Sequence, residues 1–188
     1  MRKISAIVLL GDSLTAWGDF SQLKRLGEDI HIHNLGVPGN ATAEIYARIG
    51  EATALRPSHL VLMAGVNDLF QGIAADEILD NHRRIWKAIA EGSPETSLSL
   101  LSLLPINRAI TGDFPSSAFQ NGSIRALNSS LRLEAERRNI PFLDFYPHFS
   151  DKQLNLDENL TEDGVHLLPA AYTLWVKLLL DYFSGGKD

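Results

Sequence analysis

Apolar residues fall in short, near-continuous runs at residues 4–10, 59–64, 98–104 and 140–145, with a weaker run at 30–35. Continuous rather than alternating runs suit parallel strands covered on both faces. The segments between them carry a helical period. Thr42 is placed to cap a helix over 43–55, which stops before Pro57. Residues 76–91 put Ile78, Leu79, Ile85, Trp86 and Ile89 on one side, and Gly92 follows. Residues 123–138 carry Ile124, Leu127, Leu131 and Leu133, and end on Arg137 and Arg138, which complement the helix dipole. Pro169 suits the first turn of a last helix reaching about residue 183. Strands alternating with helices predict a three-layer α/β/α sandwich around a parallel sheet. The longest irregular stretches are 105–121 and 146–163.

Composition narrows the picture. At 188 residues the chain reads as one domain over 1–188, long enough to bury a core without staples. It has no cysteine, which excludes disulfides, thiolate metal sites and a cysteine nucleophile. The formal charge of -6 comes without a Lys/Arg stripe, so no nucleic-acid partner is expected. A basic start at Arg2 and Lys3 precedes apolar 4–10, but that run is too short for a signal peptide and lacks a small-residue cleavage site. No run approaches the ~20 apolar residues that span a bilayer. The expectation is a protein without a transmembrane segment, located in the cytoplasm.

The chemistry gathers at the strand ends. In a parallel sheet, ligands bind beyond the carboxyl ends of the strands. Gly11-Asp12-Ser13-Leu14-Thr15 follows the first strand, Asn34 to Asn40 the second and Gly65-Val66-Asn67-Asp68 the third, while Asp163-Gly164-Val165-His166 precedes the last helix. A serine hydroxyl becomes a useful nucleophile only when a base takes its proton. Ser13 is the candidate nucleophile and His166 the candidate base, with Asp163 fixing the ring's tautomer. A tetrahedral intermediate also needs donors aimed at its oxyanion. The backbone N–H groups of Ser13 and Gly39 and the side-chain amide of Asn67 would serve.

At these residues the chain resembles the GDSL esterases, also called SGNH hydrolases. That family carries Ser in Gly-Asp-Ser-Leu, then a Gly, an Asn in Gly-x-Asn-Asp and a His in Asp-x-x-His. Ser13, Gly39, Asn67, and Asp163 with His166 match in that order. For the second block Gly36 is an alternative; Asn34, five residues before Gly39, favours Gly39. The resemblance covers residues 4 to about 180. It implies a flavodoxin-like sheet of order 2-1-3-4-5 and ester or thioester hydrolysis with no cofactor. Residues 103–108 are similar, more loosely, to the acetylhydrolase-like branch. The function expected is a serine esterase for small or short-chain acyl esters, O-acetyl groups on carbohydrates among them. Alternatives are a lysophospholipase or acyl-thioesterase with a longer groove, and a non-catalytic binding module of the same fold.

Other residues read as structural. His31 and His33 alternate on a strand but have no third metal ligand nearby in sequence. His59 and His82 read as surface or packing residues, and Trp86 as core. Asp12 reads as shaping the turn around Ser13. His148 precedes Asp163 and is the reserve candidate for the base. The Asn-x-Ser/Thr tripeptides at Asn40, Asn128 and Asn159 are common by chance. Trp17, just after Ser13, is a candidate pocket wall on position alone.

Overall fold

The computed structural model describes residues 4–116 and 119–185. The basic start at Arg2 and Lys3 lies outside them. Five parallel strands form one sheet: β1 (Ala6–Gly11), β2 (His31–Gly36), β3 (His59–Met63), β4 (Ser97–Leu101) and β5 (Phe142–Leu143), ordered β2-β1-β3-β4-β5. Ile7 to Leu10, Leu60 to Met63, Leu100 and Leu101 are all essentially solvent-free. The continuous apolar runs therefore mean what they predicted, strands with helices over both faces.

The helices are α1 (Ser13–Ala16), α2 (Thr42–Ala47), α3 (Ile49–Ala54), α4 (Val66–Phe70), α5 (Ala75–Gly92), α6 (Arg108–Thr111), α7 (Asn121–Glu136) and α8 (Pro169–Phe183). α5 contacts α2, α3 and α7, while α8 contacts the 3-10 turn Ser21–Leu26. Right-handed crossovers put these two groups on opposite faces, because β1 to β2 runs one way across the sheet and every later connection runs the other. The exits of β1 and β3 thus feed opposite faces and leave a crevice between them, where a ligand can sit.

Five sequence expectations need correction. The helix expected over 43–55 is two helices, interrupted at Arg48. Thr42 is not its N-cap; Ala41 is, and Thr42 gives both its N–H and its hydroxyl to the Asp68 carboxylate, the hydroxyl at 2.5 Å. The strand expected over 98–104 leaves the sheet after Leu101, because asparagines on α7 take over its backbone. Asn128 bonds both the N–H and the C=O of Leu103, at 2.8 and 2.9 Å, and Asn121 does the same for Ile106. The strand expected over 140–145 keeps only two residues. Leu133 is 55% exposed, since it lies two positions from buried Leu131 and so across the helix from the core stripe. The inward faces of α5 and α8 agree with their periodicity.

Candidate active site

Strand register brings the motifs to one rim. Gly11, the last residue of β1, pairs with Gly36 on one side and Met63 on the other. The chain beyond each supplies Ser13, Gly39 and Asn67 respectively.

Ser13 opens α1. The Asp12 side chain caps this turn by accepting from the Leu14 N–H at 2.9 Å. Asp12 is fully buried and its second carboxylate oxygen has no partner. Burial pushes its carboxyl up to about 7, against the opposing pull of the Leu14 N–H. Asn34 holds the turn from β2: its amide donates to Thr15 O at 2.9 Å and Gly18 O at 3.2 Å, and its oxygen accepts from the Gly36 N–H at 2.9 Å. A β-carbon at Gly36 would sit 2.1 Å from the Ala16 nitrogen, so this glycine lets β2 approach the Ser13 turn. Gly39 is different. Its φ of 79° is left-handed, a β-carbon there would meet nothing within 4 Å, and it lines the cavity at Ser13.

The Ser13 hydroxyl lies 3.1 Å from His166 Nε2, and His166 Nδ1 lies 2.6 Å from Asp163 Oδ2. The other Asp163 oxygen accepts from the N–H groups of His166 and Val165, at 2.7 and 2.8 Å. Burial pushes the Asp163 carboxyl up, but the His166 ring and these two N–H groups outweigh it and hold it below the usual carboxylate range. The loop is anchored at both ends. The Thr161 hydroxyl accepts from the Gly164 N–H at 2.9 Å, and the Asn107 N–H donates to Gly164 O at 2.7 Å. Trp17 packs on the His166 ring, with centroids 4.2 Å apart.

Asn67 donates to Asn40 O at 3.0 Å, which joins the loop after β2 to the start of α4. Arg48 fastens the same loop from the break between α2 and α3. It bonds Asn40 Oδ1 at 2.7 Å and Gly11 O at 3.0 Å. The break in the helix is what frees Arg48 for this span. Asp68 is buried against Thr42, and Asn81 of α5 donates to the Thr42 hydroxyl at 3.0 Å.

A cavity of about 290 Å³ is lined by Ser13, Gly39, Asn67 and His166, together with Trp17, Val66, Phe70 and Phe114. Phe70 meets Phe114 and Phe119 edge-on, at 5.3 and 5.2 Å. A larger hollow of about 670 Å³ opens among the starts of β3 and β4, at the opposite end of the sheet from these residues.

Every residue singled out for acyl transfer is therefore at this rim, Asp163 standing behind His166. Trp17 is a wall of the cavity. The remaining candidates lie elsewhere. His31 and His33 sit on edge strand β2 with ring centroids 6.4 Å apart, and no group of three or more His, Asp or Glu among the described residues is placed to hold a metal. His82 is fully buried, bonded to Ala64 O and pushed down to about 4 by burial, so it is a packing residue. His148 is exposed and lines no part of the cavity. Asn128 is spent on Leu103, and its burial closes it to glycosylation in the folded chain. Arg48, Asn107 and Thr42 were legible only as turn or helix residues, and Asn34 only as a strand residue that marks Gly39. Their partners are distant in sequence, and no local pattern marks such pairs.

A model of the GDSL-like lipase/acylhydrolase family matches residues 9–174. An N-acylneuraminate cytidylyltransferase from Streptococcus agalactiae serotype V is 24% identical over 176 residues, 90% of this chain and 38% of that protein. The chain thus spans well under half the length of this curated relative. The solved lipase/acylhydrolase from Enterococcus faecalis superposes with a TM-score of 0.79 at 24% identity, over 98% of this chain and 96% of that one. A solved acetyl xylan esterase superposes with a TM-score of 0.78 at 19% identity, over 94% of this chain and 98% of that one. At such identities these likenesses show a shared fold.

Proposed function

The chain belongs to the GDSL-like lipase/acylhydrolase family and is thereby a hydrolase of carboxylic esters, and from that premise we propose a serine esterase for small or short-chain acyl esters with Ser13 as nucleophile. The observation that carries this reading is the bonded series Ser13, His166, Asp163, at 3.1 and 2.6 Å, opening on the cavity that Gly39 and Asn67 line. His166 Nε2 takes the Ser13 proton as Oγ bonds to the ester carbonyl carbon. Asp163, already ionised, balances the charge that forms on the ring. The oxyanion falls to the N–H groups of Ser13 and Gly39 and to the Asn67 amide. Collapse of the intermediate breaks the ester C–O bond, and His166 returns the proton to the departing alcohol. Water then attacks the acyl-enzyme by the same route in reverse. No step needs a cofactor.

A fluorophosphonate tests the nucleophile directly. Mass spectrometry of the labelled protein is expected to place one adduct on Ser13, and Ser13→Ala is expected to remain unlabelled. An adduct on another serine would displace Ser13 from its role.

Asn67→Ala is expected to lower kcat by about 10²- to 10³-fold, the effect of removing one oxyanion donor. KM for a soluble ester should change far less, because the donor acts on charge that develops in the transition state. A loss confined to KM would make Asn67 a substrate-binding residue only.

The cavity is small, about 290 Å³, and the edge-on pair Phe70 and Phe114 is part of its lining. kcat/KM is therefore expected to fall from p-nitrophenyl acetate to the laurate ester. Phe114→Ala should shift the optimum toward longer chains, since Phe114 is 54% exposed and its removal opens the wall to solvent. A steady rise from acetate to laurate in the unaltered protein would favour the lysophospholipase or thioesterase reading. Within the short-chain class we place acetyl esters of carbohydrates first, in line with the fold shared with an acetyl xylan esterase. The cytidylyl transfer named for the streptococcal relative is not carried over, since the chain covers 38% of that protein.

A further inference from the structure

We propose that a second hollow bounded by Trp17 is the subsite for the leaving alcohol, and that it takes a neutral, polyhydroxylated group such as a sugar ring. This rests on the serine-esterase reading above and adds where the two halves of the ester go.

Trp17 lines both the Ser13 cavity and a neighbouring hollow of about 340 Å³. The other walls of that hollow include Asp19, Gln22, Leu167, Tyr172 and Thr173. Two of these are joined to the reacting groups. Leu167 directly follows His166, and the Tyr172 hydroxyl donates to the backbone O of Leu14, next to Ser13, at 2.9 Å. The hollow is therefore held in a fixed relation to both Ser13 and His166.

The lining of the catalytic cavity combines apolar side chains with the Trp17 indole. Val66 and Phe70 line the cavity from the same short helix as Asn67, so this oxyanion donor has apolar neighbours that suit an acyl group. The departing oxygen must reach His166 Nε2 for its proton, and the ring that lies on His166 is Trp17. The alcohol half is accordingly the part that meets Trp17. An indole that is 55% exposed offers a face to the C–H side of a sugar ring. Beyond it, Asp19, Gln22 and Thr173 present a carboxylate, an amide and a hydroxyl, all on exposed residues. These are partners for alcohol O–H groups. Asp19 is steadied by accepting from the Ser21 N–H at 2.9 Å, and that bond lowers its carboxyl below the usual range. A fixed anion here disfavours a phosphorylated alcohol. Size agrees: the catalytic cavity alone falls below the ~300 Å³ lower end of small-molecule sites, and the two hollows together fall inside the range.

The test compares two acetyl esters that differ only in the alcohol, a methyl mono-O-acetyl-glucoside and ethyl acetate. Thr173→Phe, on the exposed face of α8, fills the hollow, and Gln22→Ala removes one polar partner. Both are expected to raise KM for the sugar acetate relative to ethyl acetate, about tenfold for Thr173→Phe and several-fold for Gln22→Ala, with kcat ratios little moved. Melting temperatures establish that each variant is folded. Calorimetric binding of the sugar acetate to Ser13→Ala gives a readout without turnover, and adding Thr173→Phe to it should weaken binding by the same factor. Equal effects on the two esters, no effect on either, or no detectable binding of the sugar acetate would overturn the subsite. Undiminished ethyl acetate hydrolysis by Ser13→Ala would instead overturn the esterase mechanism, and the two failures are thereby distinguishable.

Discussion

Ser13→Ala is expected to lower kcat/KM on a soluble acetyl ester by on the order of 10⁴- to 10⁶-fold, while the protein stays folded. The size follows from what is removed. Without Oγ there is no acyl-enzyme, and the residual rate is whatever the oxyanion donors and binding give an unassisted water. Stability should change by under about 1 kcal/mol, because Ser13 is only half-buried and its side-chain bond to His166 is part-exposed. Steady-state kinetics with a melting curve for the same preparation checks both halves. Retention of a tenth or more of the activity would assign the nucleophile elsewhere. A collapsed melting curve would mean that the Ser13 turn depends on the hydroxyl, contrary to its support by Asp12 and Asn34.

His166→Ala is expected to fall nearly as far, because the hydroxyl of Ser13, 3.1 Å from His166 Nε2, then has no base to take its proton. Only the neutral imidazole can accept the serine proton. Asp163 works in the opposite protonation sense. Its carboxyl is held below the usual range, so it is ionised throughout the working range and loses its charge only in acid. The bonds that lower it add to stability above the unfolded carboxylate range, and that contribution is lost as the pH falls through the folded value. Asp163→Asn should cost about 10²- to 10⁴-fold in kcat, because an amide can favour the wrong tautomer and cannot balance the imidazolium. The lower part of that span is the expectation here: the Asp163 side chain is 54% exposed, so water screens the pair and partly substitutes for it. kcat/KM against pH for all three proteins decides the matter. Retention of a tenth or more of the activity by His166→Ala would make another group the base.

Much of this molecule is written locally. Residues 4–10 and 59–64 are apolar without alternation, and the only way to bury both faces of such a strand is inside a parallel sheet. Gly-Asp-Ser after the first, with an aspartate able to cap the turn, marks where α1 opens. The acyl-transfer residues were legible for the same reason: each is a particular functional group at a strand end or turn, and the family's four blocks occur in order.

The sequence by itself determined the strand runs, the helical faces of α5 and α8, and the identities of Ser13, Gly39, Asn67, Asp163 and His166 as candidates. Tertiary structure decided everything that needs two distant segments to meet. Ser13 and His166 are 153 residues apart, and only the strand order brings them to 3.1 Å. Thr42 reads locally as an N-cap, yet the buried Asp68 carboxylate, 26 residues away, claims its donors. The helix over 43–55 breaks at Arg48, whose guanidinium reaches the Gly11 carbonyl 37 residues back. The run at 98–104 leaves the sheet because Asn128, 25 residues on, satisfies Leu103 in place of a neighbouring strand. In each case local propensity is worth under about 1 kcal/mol per residue, while a buried donor or acceptor left without a partner costs about 1–3 kcal/mol. Satisfying the buried group therefore outweighs the local preference, and which groups are buried together is set by the folded chain.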